Sequence, residues 1–162
     1  MTKSSKWVKL SYVLRRNSWI VAFAYRIWRL FQTKYTMGVV GVIFDDNQRV
    51  LLVEHVFHPK RPWGLPGGWI NRREDPKHAL VRELQEELKL NVNMGDILLA
   101  EFHHGNHLDL AYVCEPINEI GELSFELLQY QWFNIEDMPK LHLFHQRAIT
   151  HAINLQTKSN NQ

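Results

Sequence analysis

The segment from Asp75 to Leu88 constrains the chain most. Its apolar residues Ala79, Leu80, Leu84 and Leu88 recur at helical steps. Asp75-Pro76 supplies the start, an N-cap acid followed by a proline whose missing N–H costs nothing at the first helical position. On this helix stands Arg82-Glu83-Leu84-Gln85-Glu86-Glu87, with Glu83 three residues before Glu86 and four before Glu87. The three carboxylates therefore share one face. Like charges at that spacing repel, so the cluster calls for a compensating cation. Carboxylate oxygens with little sulfur or nitrogen nearby suit a hard divalent ion, Mg²⁺ or Mn²⁺, better than zinc. His78 falls on the wrong side of the helix to join them. Taken alone, the acids read as a solvated face, as most charge runs on helices do.

Around this helix the chain divides into a helical start and a β-rich remainder. Leu10, Leu14, Val21, Ala24, Trp28 and Phe31 recur at three- and four-residue steps, which predicts one amphipathic helix from about Trp7 to Phe31. Arg15, Arg26 and Arg29 form its narrow cationic stripe. The apolar run Trp19 to Tyr25 is bracketed by Arg15, Arg16, Arg26 and Arg29, well short of the roughly 20 residues that cross a bilayer. No small-residue cleavage site follows it, so neither secretion nor a spanning helix is expected. Next, Val39 to Phe44 and Val50 to Val53, separated by Asp45-Asp46-Asn47-Gln48, predict a hairpin.

A short strand is expected at Trp63–Leu65 or at Trp69–Ile70, on either side of Pro66-Gly67-Gly68, where glycine lets the backbone turn tightly and approach a ligand. Strands at Asn91–Phe102, Leu108–Cys114 and Gln129–Phe133, a helical turn at Ile135–Pro139 and a closing helix at Phe144–Leu155 follow. The expected organisation is an N-terminal helix over residues 1–34, one domain over 35–157 and a polar tail over 158–162.

Composition narrows the function classes. With 162 residues, 45% hydrophobic and 22% charged, the chain supports one soluble domain with a proper core. A net charge of +2 is too small for nucleic acid as a bulk polyelectrolyte partner, though local Lys and Arg clusters suit phosphorylated small molecules. The single cysteine, Cys114, has no partner for a disulfide or a zinc knuckle. A cytoplasmic location is the expectation.

Gly68, Glu74, Arg82, Glu83, Leu84, Glu86, Glu87 and Leu90 stand where the signature Gly-x5-Glu-x7-Arg-Glu-U-x-Glu-Glu-x-Gly-U asks, U being apolar. By these residues the chain resembles the Nudix hydrolase family. Lys89 is the one departure, in the place of a glycine that closes the helix at positive φ, and strain is expected there. The resemblance extends from about Thr36 to Leu155, through Trp63-Gly64-Leu65-Pro66 before the box and Tyr130-Gln131-Trp132-Phe133 with Asp137-Met138-Pro139 after it. The first 35 residues lie outside it.

The resemblance implies an α+β Nudix fold, a mixed β-sheet sandwiched between helices, here with an extra N-terminal helix. It implies that Glu83, Glu86 and Glu87, with the backbone carbonyl of Gly68, hold Mg²⁺, with Mn²⁺ as the alternative. The implied reaction is attack of water on a small-molecule diphosphate, a nucleoside diphosphate derivative such as a nucleotide sugar or nucleoside triphosphate. Glu83 is the first choice for general base. Among the later loop acids Glu115, Glu119, Glu122 and Glu126, the last is best placed. Glu86 completes the catalytic set, while Glu74 and Arg82 form a structural ion pair bracing loop and helix.

Lys60, Arg61, Arg72 and Arg73, with His58, flank the glycine turn as candidates to meet phosphate, and Trp63, Trp69 and Phe102 as candidates to stack a base. His103, His104 and His107 read as polar lining or surface. Two other functions stay open, a non-catalytic nucleotide sensor and an isoprenoid-diphosphate isomerase using Cys114. For the first helix, docking onto the domain or a homodimer is expected first, and peripheral membrane contact through residues 7–31 second.

Overall fold

The computed structural model describes residues 11, 12, 14–57, 59–103 and 105–159. His58, His104, Trp7, Leu10 and the last three residues of the expected tail lie outside the described residues. The chain forms two units, residues 1–34 and residues 35–162. In the first, helix α1 spans Ser18–Leu30. The single helix expected from Trp7 to Phe31 is interrupted, because Asn17 takes φ −118° and ψ 61° between helical residues on either side. Asparagine competes with the helix backbone and favours such ends, and the helix restarts with Ile20 N–H donating to the Asn17 carbonyl at 3.0 Å. Every described side chain of α1 is exposed. Among the described residues, no helix is long and apolar enough to cross a membrane.

The described residues of the second unit form strands β1 Thr36–Ile43, β2 Val50–His55, β3 Trp63–Gly64, β4 Gly67–Trp69, β5 Val92–His103, β6 His107–Pro116 and β7 Leu127–Phe133. Its helices are α2 Pro76–Leu88 and α3 Leu143–Ser159, with a 3₁₀ turn at Ile135–Asp137. The order β4-β1-β6-β5 makes a mixed sheet, β1 running parallel to β6 and antiparallel to β4. A second, antiparallel sheet has the order β3-β2-β7. Helix α3 reaches Ser159, so Lys158, expected in the tail, is helical.

Strand alternation explains how the mixed sheet is covered on both faces. Val39, Ile43, Leu110, Tyr112 and Cys114 pack in one cluster with Ala79, Leu80, Leu84 and Leu88 of α2. The intervening Val42 and Ala111 pack in a second cluster with Phe144, Ala148, Ile149 and Ala152 of α3. This is the expected α+β sandwich of a mixed sheet between helices, with a second sheet beside it.

The predicted hairpin is not formed. Only Phe44↔Val50 bridges β1 and β2, which then join different sheets. Both strands are buried along most of their length, as near-continuous apolar runs are in central strands, and each needs partners on two sides. The connection is still built by its acid: Asp45 Oδ1 accepts from the N–H groups of Asn47 and Arg49 at 3.0 and 2.8 Å. Both sides of the glycines carry a strand, but with shifted bounds: β3 ends at Gly64, short of Leu65. Strand β4 takes in Gly67 and Gly68, expected as the turn, and stops at Trp69 before Ile70, because it pairs with β1 through Gly67, Gly68 and Trp69. Gly67, at φ +143°, lies so close to β1 that an added Cβ would strike the Val39 carbonyl.

Helix α2 is closed as its sequence requires at one end and against preference at the other. Asp75 accepts from the N–H groups of Lys77 and His78 at 2.9 and 3.4 Å. At the C-cap, Lys89 adopts the left-handed conformation, φ 52° and ψ 29°. A left-handed L-residue costs about 1–2 kcal/mol, and glycine's larger unfolded-state entropy offsets about 0.5–1 of that. Lys89→Gly is therefore expected to stabilise the protein by about 0.5–1 kcal/mol, read as a higher midpoint in urea unfolding.

Candidate metal site and cleft

Strand β4 holds the glycine turn against α2. Gly68 pairs with Val39, and a Cβ built on it would lie 2.5 Å from the carboxyl carbon of Glu83. Only glycine lets the strand approach the acid face this closely. Glu87 is 6% exposed, and its Oε2 has no hydrogen-bond partner. Burial, then the charges of Glu83 and Glu126, push its carboxyl up to about 8 against a bond from the Gly67 N–H. Burial also raises Glu83, opposed by the Arg82 guanidinium. A buried, unpartnered carboxylate oxygen facing further acids is costly unless a cation completes it.

Arg82 organises the rest of the acid face. Its Nε and Nη2 donate to Glu74 at 2.8 and 3.0 Å, its Nη1 to Glu83 at 2.9 Å and Glu86 at 3.1 Å, and Nη2 also to the Trp69 carbonyl at 3.1 Å. Glu74 further accepts from the Asn71 N–H at 2.8 Å. With Arg82 as first cause and Asn71 as second, its carboxyl drops to about 2. The forked guanidinium thus ties the end of β4, the following loop and α2 together. Among the described residues no three His, Cys, Asp or Glu side chains are gathered as a ready ligand set. Glu83 and Glu86 instead share the charge of Arg82.

A cleft of about 710 Å³ runs from Gly67 and Gly68 along Lys60, Arg61, Trp63 and Trp69. Trp69 is 62% exposed. Arg72 and Arg73 are not among the residues lining it. They occupy the exposed turn after β4, where Arg73 has φ 66°, because Arg82's grip on Glu74 and Trp69 shapes that turn from the opposite side. Phe102 is not on the cleft either, and sits edge-tilted against Tyr35 at 5.5 Å.

The histidine group contains a carboxylate that the sequence pattern did not single out. Asp109 accepts from His107 Nε2 at 2.8 Å, and His103 Nε2 approaches its other oxygen at 3.2 Å. Thr36 Oγ1 meets His107 Nδ1 at 2.8 Å. Asp109 stands two residues after His107 on β6, hence on the same face, a signal that alternation alone supplies. His142 and His145 also line the cleft; they come from the far end of the chain, and nothing local marks them. Of the later loop acids, Glu126 is the one whose charge stands among the leading causes that raise Glu83 and Glu87.

Fold and site define a sheet-and-helix domain whose helix α2 sets a carboxylate face against β4, the glycine strand that also borders an open cleft. A family model described as "NUDIX domain" matches residues 34–152, and the chain belongs to that family. Over 115 residues it is 27% identical to human "Nucleoside diphosphate-linked moiety X motif 6", covering 65% of this chain and 36% of that protein. Over 88 residues it is 34% identical to the "8-oxo-dGTP diphosphatase" of Proteus vulgaris, covering 51% of this chain and 79% of that one. The solved ADP-ribose pyrophosphatase of Streptococcus suis 89-1591 superposes with a TM-score of 0.64 at 23% identity, covering 77% of this chain and 92% of that one. This last likeness is one of fold. The chain spans little more than a third of the human relative's length.

The raised Glu87 carboxyl has a thermodynamic signature. Its folded value of about 8 lies above the ordinary 4.5, so between these limits the folded state binds more protons than the unfolded one and stability falls as pH rises. In EDTA, Glu87→Gln is expected to match the wild-type melting temperature at pH 5 and to exceed it by roughly 5 °C at pH 8. Calorimetry at both pH values checks this; equal differences at both would count against the buried acid.

Proposed function

We propose that this chain hydrolyses the diphosphate linkage of a nucleoside diphosphate derivative with Mg²⁺, or Mn²⁺ in its place. The observation that carries the reading is the buried, unpartnered Glu87 Oε2 on the same helix face as Glu83, whose carboxyl lies against Gly68, an all-oxygen donor set next to the glycine strand that borders a cleft wide enough for a nucleotide. The residues fit the ion: Glu83, Glu86 and Glu87, with the Gly68 carbonyl, would hold it. Bound there, a divalent cation supplies charge neutralisation at the diphosphate and a more acidic water.

The chain's own residues do the remaining work. Glu83, with its carboxyl raised by burial, takes a proton from the attacking water, and Glu126 is the second candidate for that role. The water oxygen bonds to phosphorus, the bridging P–O bond breaks, and the proton passes to the departing phosphate. Arg82 and Glu74 keep loop and helix in register. Lys60 and Arg61 are placed to meet phosphate oxygens in the cleft, and Trp63 and Trp69 to pack against a base or sugar. The relative named for 8-oxo-dGTP supports this substrate class.

The isomerase alternative loses support because Cys114 lies in the α2 core. Its Sγ is 3.7 Å from the Met94 sulfur, and burial pushes its thiol up to about 12. The sensor alternative is separated by experiment. A panel of nucleoside triphosphates, nucleotide sugars and dinucleoside polyphosphates with Mg²⁺ is expected to yield at least one hydrolysed compound. On that compound Glu86→Gln is expected to lower kcat at least about a hundred-fold while leaving nucleotide affinity within a few-fold. Unaltered turnover would remove the metal assignment, and a folded protein inert on the whole panel would favour the sensor.

The same proposal assigns the exposed apolar side chains of α1, including Trp19, Phe23 and Leu30, to a second copy of this chain in a cytoplasmic homodimer. Deleting residues 1–34 is expected to halve the mass seen by light scattering. Unchanged mass, with loss of sedimentation on anionic liposomes, would assign residues 7–31 to a membrane surface instead.

A further inference from the structure

An α-helix leaves its last carbonyls without intrahelical donors, and at the end of α2 the partners come from far along the chain. The Leu84 and Gln85 carbonyls are met locally by the N–H groups of Leu90 and Lys89, each at 3.2 Å. Those of Glu87, Leu88 and Lys89 are all met by the loop between β6 and β7. Ser124 N–H donates to the Glu87 carbonyl and Gly121 N–H to that of Leu88, both at 2.9 Å. Asn118 Nδ2 donates to the Lys89 carbonyl at 2.9 Å.

Asn118 is the most connected residue of this clamp. Its Oδ1 accepts from the Asn91 N–H at 2.6 Å, and its Nδ2 also donates to the Glu119 carbonyl at 2.6 Å. One side chain therefore joins the residues just after α2 to the start of the loop. The loop fits closely as well, since a Cβ on Gly121 would lie 2.8 Å from the Cβ of Lys89. With glycine at position 89, a Cβ added at residue 121 would not meet that side chain. Downstream, Ser124 Oγ accepts from the Glu126 N–H at 3.3 Å, and the Glu126 carbonyl accepts from the Val56 N–H at 2.9 Å. The loop that caps the metal helix thus carries an acid whose charge acts on Glu83 and Glu87.

We propose that Asn118 is a positioning residue which, by clamping the loop of residues 117–126 to the last turn of α2, holds Glu126 against the metal-binding glutamates Glu83 and Glu87. This rests on the reading that those glutamates take up a divalent cation. The backbone of Glu87 and the loop bearing Glu126 are one hydrogen-bonded unit, so the spacing of their carboxylates is set before any ion arrives.

The test measures Mn²⁺ uptake by the full chain by electron paramagnetic resonance, with circular dichroism confirming that each variant is folded. Asn118→Ala is expected to weaken Mn²⁺ binding about ten-fold. In a Glu126→Gln background the same change is expected to cost less than about two-fold, because the clamp then has no acid to place. Gly121→Ala, which pushes the loop off Lys89, is expected to weaken Mn²⁺ binding likewise, and adding Lys89→Gly to restore it. Mn²⁺ binding that neither Asn118→Ala nor Gly121→Ala changes would overturn the proposal, as would a full-sized Asn118 effect without Glu126. A wild-type chain that takes up no Mn²⁺ would overturn the metal reading itself, a different result from normal uptake that ignores the clamp.

Discussion

Arg82 against the acid face of α2 is the interaction on which the site depends. Three glutamates within two helical turns repel one another, and the guanidinium spends its donors on Glu74, Glu83, Glu86 and the Trp69 carbonyl. In doing so it fixes the turn after β4 and brings Gly68 under Glu83. Glu87 is the acid it does not reach. Buried and without a partner for one oxygen, Glu87 carries the unmet electrostatic demand of the whole face.

The fold supports that demand by making α2 rigid from both ends. Asp75 caps its start, and the loop from Asn118 to Ser124 satisfies the carbonyls at its finish. Its apolar stripe of Ala79, Leu80, Leu84 and Leu88 sits on one face of the mixed sheet, while α3 covers the other. A helix so held presents its carboxylates in a fixed geometry, which is what pre-organises a cation site. The opposite arrangement, acids on a mobile loop, would lose that advantage to conformational entropy.

Much of the site was legible because it is local. Glu83, Glu86 and Glu87 share a face by spacing alone, and Asp75-Pro76 announces the helix start. Glu74 pairs with Arg82 at 2.8 Å, a partnership implied by the family pattern. Elsewhere the local signal misled. Asp45-Asp46-Asn47-Gln48 is turn chemistry, and a turn is there, yet β1 and β2 part into two sheets because each is buried along most of its length. Asn17 breaks a helix whose apolar periodicity runs straight through it. Arg72 and Arg73 neighbour the glycine turn in sequence but stand outside the cleft.

Periodicity, capping and spacing act over three to four residues, and by themselves they determined the acid-bearing helix, its shared carboxylate face and the strand-rich order, while the family pattern implied the strain at Lys89. Tertiary structure decided what lies across the gaps. Asp109 meets His103 only because β5 and β6 pair in one register, and His142 and His145 reach the cleft only through the start of α3. Asn118 finds the end of α2 across 29 residues of chain. Such contacts depend on how sheets and helices pack, a long-range outcome that no short stretch of sequence encodes.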